Sequence, residues 1–219
     1  MPVSIILPTK DNKRVFDDCV RSLFHSTNYP FKLIIIESNT INHPLDPMYN
    51  WQKAFPDRIK IISTSTEGIN IKAINIGIKA SDPDSDILLI HDDVLFFKLY
   101  KRDWLKELVE KLEKNTVIGL ATYANNIKNS DENYNHTRWV GSWFCYIPRN
   151  TINIVGVMDE GFPIGEDIDY SYRVQKLGLA LGEIDYWFEH HQMRENPHNE
   201  QSKEIKDKAI KLFREKHKL

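Results

Sequence analysis

The hydrophobic positions of this chain form short continuous runs that alternate with longer stripes at helical spacing. Continuous apolar runs predict strands that are buried on both faces, and they cover residues 3–7, 31–36, 59–62 and 87–90. Apolar residues at helical spacing predict helices over residues 12–26 and 68–80. Strands and helices in this order are typical of an α/β fold with a mostly parallel central sheet flanked by helices.

The pattern is looser in the second half of the chain. It predicts helices over residues 103–114, 166–177 and 202–217, and strands over residues 117–123, 139–147 and 179–184. Residues 125–136 are polar and rich in asparagine, which predicts a mobile loop. Because neither a repeat nor a linker composition divides the chain, we expect residues 1–219 to form a single domain.

The composition is that of a chain that can bury a sizeable core. Of 219 residues, 41% are hydrophobic and 11% aromatic, which excludes extended disorder. The formal net charge of −2 gives no electrostatic reason to expect a nucleic-acid partner. The two cysteines, Cys19 and Cys145, have apolar neighbours and predict buried thiols, as a cytoplasmic protein would have. No apolar segment approaches membrane-spanning length.

The candidate chemistry begins with Asp92 and Asp93, two adjacent acids that follow the buried strand at residues 87–90 after a single histidine, His91. In α/β sheets the carboxyl ends of the strands are where ligands bind. Paired carboxylates at that edge suit a hard divalent cation and, through it, a phosphorylated substrate. A solvated acidic turn would also explain this pair taken alone.

Other polar residues occur at predicted strand and helix ends. Thr9 and Glu37 each end a strand. An acid there either accepts hydrogen bonds from a nucleobase or ribose or caps the next segment, and a threonine can equally mark a turn. Glu166 and Asp167 open a helix, where acids also favour the helix dipole. His190 follows an aromatic run, and because His191 must point to the opposite side of an extended chain, only one of the two can face a given site. Together these residues make the parts of a metal-assisted group transfer.

In order and spacing, these segments resemble family-2 glycosyltransferases with the nucleotide-sugar-binding A-type fold. The resemblance covers roughly residues 3–191. It is carried by residues 3–9, 33–39, Gly68, 75–77, 87–94, 155–162, 165–169, Arg173 and His190. It implies a nucleotide-binding half at about 1–98, an acceptor and catalytic half at about 99–191, and a C-terminal helical tail at 192–219.

The resemblance also implies a role for each matching residue. Asp93 and His190 would hold Mn²⁺ or Mg²⁺ on the diphosphate, and Asp167 would be the base that deprotonates the acceptor hydroxyl. Glu166 would bind the acceptor or orient Asp167. The residues implied to bind the nucleotide are Pro8, Thr9, Glu37, Gly68, Asn75 and Asp92.

Two positions depart from the family pattern. His91 stands where many relatives have the first aspartate of an Asp-x-Asp motif, so this ligand is either missing or a histidine. Glu37 replaces a commoner aspartate at the position that contacts the base. Outside the family motifs, Trp139 and Trp143 either form a platform for a sugar acceptor or pack the core, and Trp143 is the candidate acceptor-binding residue.

The sequence therefore predicts a metal-dependent inverting glycosyltransferase that moves a sugar from a nucleotide-diphospho-sugar, with a UDP-sugar favoured, to a hydroxyl of a saccharide. We expect it to act in polysaccharide biosynthesis and to be cytoplasmic, either free or peripheral to the inner face of the membrane. Two alternatives remain open. One is a nucleotidyltransferase that makes a nucleotide-sugar, although residues 8–12 lack the expected glycine-rich loop. The other is a non-catalytic nucleotide- or carbohydrate-binding module of the same fold.

Overall fold

The computed structural model describes residues 3–10, 13–38, 46–65, 71–97, 102–113, 118–123, 126–129, 132–186, 188–191 and 200–219. Its helices are α1 (Lys13–Ser26), α2 (Asp46–Ala54), α3 (Ile71–Ala80), α4 (Trp104–Glu113), α5 (Arg149–Val155), α6 (Glu166–Lys176) and α7 (Glu200–His217). Its strands are β1 (Val3–Thr9), β2 (Phe31–Ser38), β3 (Ile59–Thr64), β4 (Asp86–Ile90), β5 (Val94–Leu95), β6 (Ile118–Tyr123), β7 (Ile127–Asn129), β8 (Arg138–Val140), β9 (Phe144–Ile147), β10 (Ala180–Ile184) and β11 (Glu189–His190).

Seven of these strands form one sheet in the order β10-β6-β9-β4-β1-β2-β3. All neighbouring pairs are parallel except those of β9, which runs antiparallel to β4 and β6. This arrangement confirms the expected α/β class and the mostly parallel sheet. The carboxyl ends of β1, β2 and β4 therefore lie side by side at one edge, where the acidic residues follow.

The core lies on both faces of this sheet, as the continuous apolar runs predict. In β1, Ile5 and Leu7 pack against the helices of one face, whereas Ile6 packs against those of the other. One face is covered by α1, α2 and α4, and the other by α3, α5, α6 and α7. On the second face α3 lies so close to β1 that a Cβ on Gly77 would overlap the side chain of Ile6.

The aromatic segment at residues 139–147 is two strands rather than the expected one. β8 pairs with β7 in a small separate sheet, while β9 joins the central sheet between β4 and β6. The break falls at Gly141, where a Cβ would come within 2.8 Å of the side-chain oxygen of Asn126 and 2.9 Å of the indole nitrogen of Trp143. A larger residue at the break would have to displace the side chain of Asn126 or Trp143.

The mobile loop expected over residues 125–136 contains regular structure where it is described. It includes β7 and a 3₁₀ turn at Glu132–Tyr134. Asn126 is fully buried, and its amide nitrogen donates to Thr122 Oγ1 at 2.9 Å and to the carbonyl of Phe144 at 2.9 Å. Local polarity suggested exposure, but this asparagine supplies hydrogen bonds inside the fold.

Candidate active site

The predicted nucleotide-binding residues meet at the carboxyl-end edge of the sheet. Thr9 and Glu37 are register partners at the ends of β1 and β2, and Pro8 lies one position earlier. Thr9 Oγ1 donates to Asp92 Oδ2 at 2.6 Å, and both residues are buried. Glu37 is also buried, with 5% of its surface exposed. The structure therefore gathers these four residues as the resemblance implied, although their contact with a nucleotide stays a prediction.

Asn75, which was also predicted to bind the nucleotide, makes its contacts within the protein. The amide nitrogen of Asn75 donates to the carbonyl of Met158 at 2.8 Å and to Glu160 Oε1 at 3.0 Å, and its oxygen accepts from the Met158 backbone at 3.2 Å. Asn75 thus ties α3 to the segment around Met158. Gly68 lies outside the described residues, and its role also stays a prediction.

The predicted metal ligands come together through a two-stranded ribbon that sequence reasoning did not anticipate. β5 follows the acidic turn and pairs antiparallel with β11, which places His190 opposite Val94. The backbone of His191 also donates to the carbonyl of Asp93 at 2.9 Å. His190 consequently faces Asp93, while the His191 ring lies 2.7 Å from Glu189. The expectation that only one of the two histidines faces the site is confirmed.

His91 joins this cluster as a third donor. One nitrogen of His91, one nitrogen of His190 and one carboxylate oxygen of Asp93 all lie within 4.8 Å of one another. Among the described residues, the buried Oδ1 of Asp93 has no hydrogen-bond partner, although His190 Nε2 lies 3.2 Å away. An unsatisfied buried carboxylate oxygen between two imidazoles is a donor set that fits a divalent cation.

The electrostatics of this cluster favour a charged carboxylate. Burial opposes ionisation of Asp93, but His190 and His91 outweigh it and hold the pKa of Asp93 below its ordinary value. Cys19 lies behind the turn, and its thiol donates to the carbonyl of His91 at 3.6 Å. Burial, and then Asp92 and Asp93, raise the pKa of the Cys19 thiol, so it remains protonated.

The base predicted from the resemblance lies at the start of α6. Gly165 precedes the helix in the left-handed conformation, with φ 80°, which non-glycine residues rarely adopt. Oδ1 of Asp167 accepts from the backbone nitrogen of Ile168 at 2.9 Å. Burial and then the neighbouring Glu166 raise the pKa of Asp167 to about 7. Burial also raises the pKa of Glu166, and the two adjacent acids titrate as a coupled pair.

A single turn, residues 141–143, touches both clusters. The Ser142 hydroxyl donates to Glu166 Oε1 at 3.2 Å on the base side. The ring of Trp143 stacks on His190 at 4.1 Å with an interplanar angle of 10°, and its carbonyl accepts from the His91 backbone at 3.0 Å. The contact of Trp143 with an acceptor stays a prediction, and the observed stacking fixes the orientation of His190.

These contacts include one role that sequence reasoning missed, that of Ser142, and one that it left open, that of His91. Ser142 was given no role from the sequence, and its partner Glu166 lies 24 residues further on. His91 was noted as a departure from the family pattern, and its adjacency to the acids was the available signal. Neither contact could be inferred from spacing, because both depend on where β9 and β11 join their sheets.

Comparison with solved structures defines the class of this fold. A mannosyltransferase from Pyrobaculum calidifontis, in complex with GDP-Man and Mn²⁺, matches 84% of this chain and 54% of its own, with a TM-score of 0.67 and 13% identity. The S. aureus TarS 1–349 fragment in complex with UDP matches 80% of this chain and 55% of its own, with a TM-score of 0.59 and 15% identity. The fold is that of the A-type glycosyltransferases.

The family follows from the sequence. The model of glycosyl transferase family 2 matches residues 4–165, and the chain belongs to this family. The O-antigen biosynthesis protein RfbC of Myxococcus xanthus is 24% identical over 212 residues, covering 82% of this chain and 16% of its own length. An uncharacterised glycosyltransferase of Nostoc is 24% identical over 132 residues, covering 60% of this chain and 39% of its own length.

The chain thus spans well under two thirds of each of these relatives. Within the part of the chain that the structure describes, no helix is both long enough and apolar enough to cross a membrane.

Proposed function

We propose that this chain transfers a sugar from a nucleotide-diphospho-sugar to an acceptor hydroxyl, with inversion at the anomeric carbon and with the help of a divalent cation. One observation carries the proposal. Two carboxylate clusters share one edge of the sheet, and their environments shift the pKa of Asp93 downward and that of Asp167 upward. Groups whose pKa values are driven apart in one site commonly divide the tasks of charge stabilisation and proton transfer.

In the proposed reaction, the cluster around Asp167 and the cluster around Asp93 each have one task. The acceptor oxygen attacks the anomeric carbon, the bond from that carbon to the diphosphate oxygen breaks, and Asp167 takes the acceptor proton. A bound divalent cation stabilises the negative charge that develops on the departing nucleoside diphosphate. Because the proposal needs only one base and no protein nucleophile, the sugar inverts in a single displacement.

We propose that Asp93, His190 and His91 hold this cation. The carboxylate supplies a hard oxygen ligand, and the two imidazoles supply nitrogen ligands. Nitrogen donors favour Mn²⁺ over Mg²⁺, since Mg²⁺ prefers oxygen ligands and retains its water shell. We therefore propose Mn²⁺ as the better cofactor of this chain. The burial of Asp93 Oδ1 without a hydrogen-bond partner among the described residues supports a cation at this position.

The substrates are proposed from the relatives and the site together. One structural neighbour is in complex with GDP-Man and another with UDP, which supports a nucleotide-sugar donor. The buried Glu37 at the sheet edge is suited to a nucleobase or ribose. The Myxococcus relative is named for O-antigen biosynthesis, which supports a saccharide acceptor and a place in polysaccharide biosynthesis.

The first experiment screens donors without requiring the acceptor. UDP-glucose, UDP-N-acetylglucosamine, GDP-mannose and a nucleoside monophosphate control are each mixed with the protein and either Mn²⁺ or Mg²⁺. Binding is measured by thermal shift, and release of nucleoside diphosphate measures turnover with water or with added oligosaccharides. We expect one donor to raise the melting temperature and to be turned over only with metal.

Three other outcomes would contradict the proposal. Release of pyrophosphate from a nucleoside triphosphate and a sugar phosphate would identify a nucleotidyltransferase instead. Tight donor binding without turnover, with Mn²⁺ and the acceptor panel present, would identify a binding module. Full turnover in the presence of a metal chelator would show that no cation is needed.

A further inference from the structure

The last turn of α7 packs against the rear of the helix that carries the proposed base. Phe213 is fully buried, and its ring centroid lies 5.4 Å from that of Tyr134 and 5.3 Å from that of Tyr172 on α6. The His217 ring lies 4.3 Å from the same Tyr172. The charged tail helix therefore has one apolar stripe, and this stripe docks it on α6.

Lys216 on this turn contacts three points of one segment. Its ammonium lies 2.7 Å from Asp159 Oδ2 and 2.8 Å from Asp169 Oδ1, and 5.1 Å from the centre of the Phe162 ring. Asp169 is fully buried, and Asp159 also accepts from the backbone of Gly161 at 2.8 Å. One cation thus joins two carboxylates that are ten residues apart in the chain.

The segment between these two carboxylates carries the proposed catalytic base, Asp167, and its neighbouring acid, Glu166. Residues 159–169 include Gly165 and the acids Glu166 and Asp167. In an α-helix, residues two positions apart in the chain are separated by about 200° around the helix axis. Asp167 and Asp169 therefore lie on opposite sides of α6. Lys216 therefore contacts the first turn of α6 on the side opposite to Asp167.

The buried carboxylate of Asp169 needs this cation. Arg173 Nε lies 2.9 Å from Asp169 Oδ2, but the same guanidinium also donates to the carbonyls of Val155 and Val157. His217 lies 2.9 Å from Asp169 Oδ1, and burial above all lowers the pKa of His217, which leaves it neutral near pH 7. The second full positive charge on Asp169 is that of Lys216, and removing one partner of a buried ion pair is strongly destabilising.

We propose that Lys216 is a positioning residue, which closes the segment 159–169 at both ends and thereby holds Asp167 in place for proton transfer. This inference rests on the proposed role of Asp167 as the base. Closing a loop reduces its conformational freedom, and a catalytic group that moves by a fraction of an ångström loses rate steeply. Lys216 itself touches no reacting atom in this scheme.

The test compares Lys216→Met with Lys216→Arg and with Lys211→Met, a control at an exposed lysine of the same helix. Hydrogen exchange followed by mass spectrometry measures local opening, Mn²⁺ titration measures the metal cluster, and nucleoside diphosphate release measures kcat and the donor KM. For Lys216→Met we expect exchange in residues 159–170 to accelerate about tenfold or more and kcat to fall about tenfold. Mn²⁺ affinity and donor KM should stay within about twofold.

The two controls sharpen the expected result. Lys216→Arg should recover most of the protection and most of kcat, because the guanidinium also reaches two carboxylates. Lys211→Met should behave as the wild type in every measurement. Should Lys216→Met fail to fold, Asp159→Asn removes the charge at one end of the segment only and keeps the side-chain oxygen that accepts from Gly161.

Several results would overturn the inference. Exchange that accelerates equally in β1 and β4 would show that Lys216 supports the whole fold rather than this segment. Unchanged hydrogen exchange and unchanged kcat in Lys216→Met would show that Lys216 does not restrain the segment 159–169. If the wild type turns over no donor, the proposed function fails. Faster hydrogen exchange confined to residues 159–170 in Lys216→Met would in that case still show that Lys216 restrains this segment.

Discussion

The two acidic clusters of this site contain the same kind of side chain in opposite electrostatic states. Asp93 lies beside His190 and His91, and these imidazoles overcome the effect of burial and lower its pKa. Asp167 lies beside another carboxylate, and burial together with Glu166 raises its pKa to about 7. The neighbours, rather than the residue type, set the two pKa values apart in the directions that the proposed cation ligand and the proposed base require.

The largest expected effect is a separation of the two roles by mutation. Asp93→Asn and Asp167→Asn should each lower nucleoside diphosphate release by about 10²–10⁴-fold, since one loses the charge that holds the cation and the other loses the base. Only Asp93→Asn should lose Mn²⁺ binding, measured by titration with electron paramagnetic resonance. Asp57→Asn, an exposed acid at the other end of β3, is the control. Equal loss of Mn²⁺ in both variants would contradict the division.

A second test uses pH to distinguish the clusters. A base works when it is deprotonated, so a pKa of about 7 for Asp167 predicts a rate that rises with pH and levels off above neutrality. From pH 7 to pH 5 the rate should fall by about fiftyfold. Mn²⁺ binding is measured at each pH, so that loss of cation is separated from protonation of the base. A rate independent of pH over this range at saturating metal would exclude Asp167 as the base.

A third and smaller effect concerns the choice of metal. His91→Asp replaces an imidazole with a carboxylate in the cluster that contains Asp93 and His190. We expect the ratio of Mn²⁺ to Mg²⁺ affinity to fall by about tenfold, because Mg²⁺ prefers oxygen ligands. Competition titrations with both ions measure this ratio. An unchanged ratio would mean that His91 does not ligate the metal.

The smallest effect is on stability, and its sign depends on pH. The folded-state pKa of Asp167 is raised, so its contribution to stability is fully present below the ordinary carboxyl pKa and is lost as pH rises through about 7. Asp167→Asn is neutral at every pH. It should therefore increase the free energy of unfolding by about 1–2 kcal/mol at pH 8 and by less than half of that at pH 5, where only part of the contribution has been lost. Urea denaturation at both values measures the difference, and a gain that is equal at both would contradict it.

The helices and strands could be predicted from the sequence where the apolar residues that define them are close neighbours in the chain. The buried strand before Asp92 and Asp93 was evident because its apolar run is continuous, and parallel packing follows from alternation with helices. Helices α2 and α5 were missed. α5 (Arg149–Val155) is short and contains β-branched residues, which weaken a helical signal. The expected single strand at residues 139–147 failed because close packing at Gly141 overrides strand propensity.

Candidate site residues could be proposed from the sequence where a carboxylate lies close after a strand or at the start of a helix that the pattern reveals. Asp93 and Asp167 were singled out at such positions, and their roles stay predictions. The contact between Trp143 and His190 had no local signal, since the two rings come from a turn and from a ribbon that lie 47 positions apart. The ion pair of Lys216 with Asp169 was equally hidden, because lysines are common on the same helix.

By itself, the sequence determined most of the elements of the central sheet, the α/β class, the family and the acids that follow its strands and start its helices. These properties depend on the periodicity of burial and on residues that are near neighbours in the chain. Only the tertiary structure decided that His190 faces Asp93, that Ser142 reaches Glu166 and that Lys216 closes the segment around Asp167. These contacts join elements distant in sequence, and their geometry is set by sheet pairing and helix docking, which no local pattern encodes.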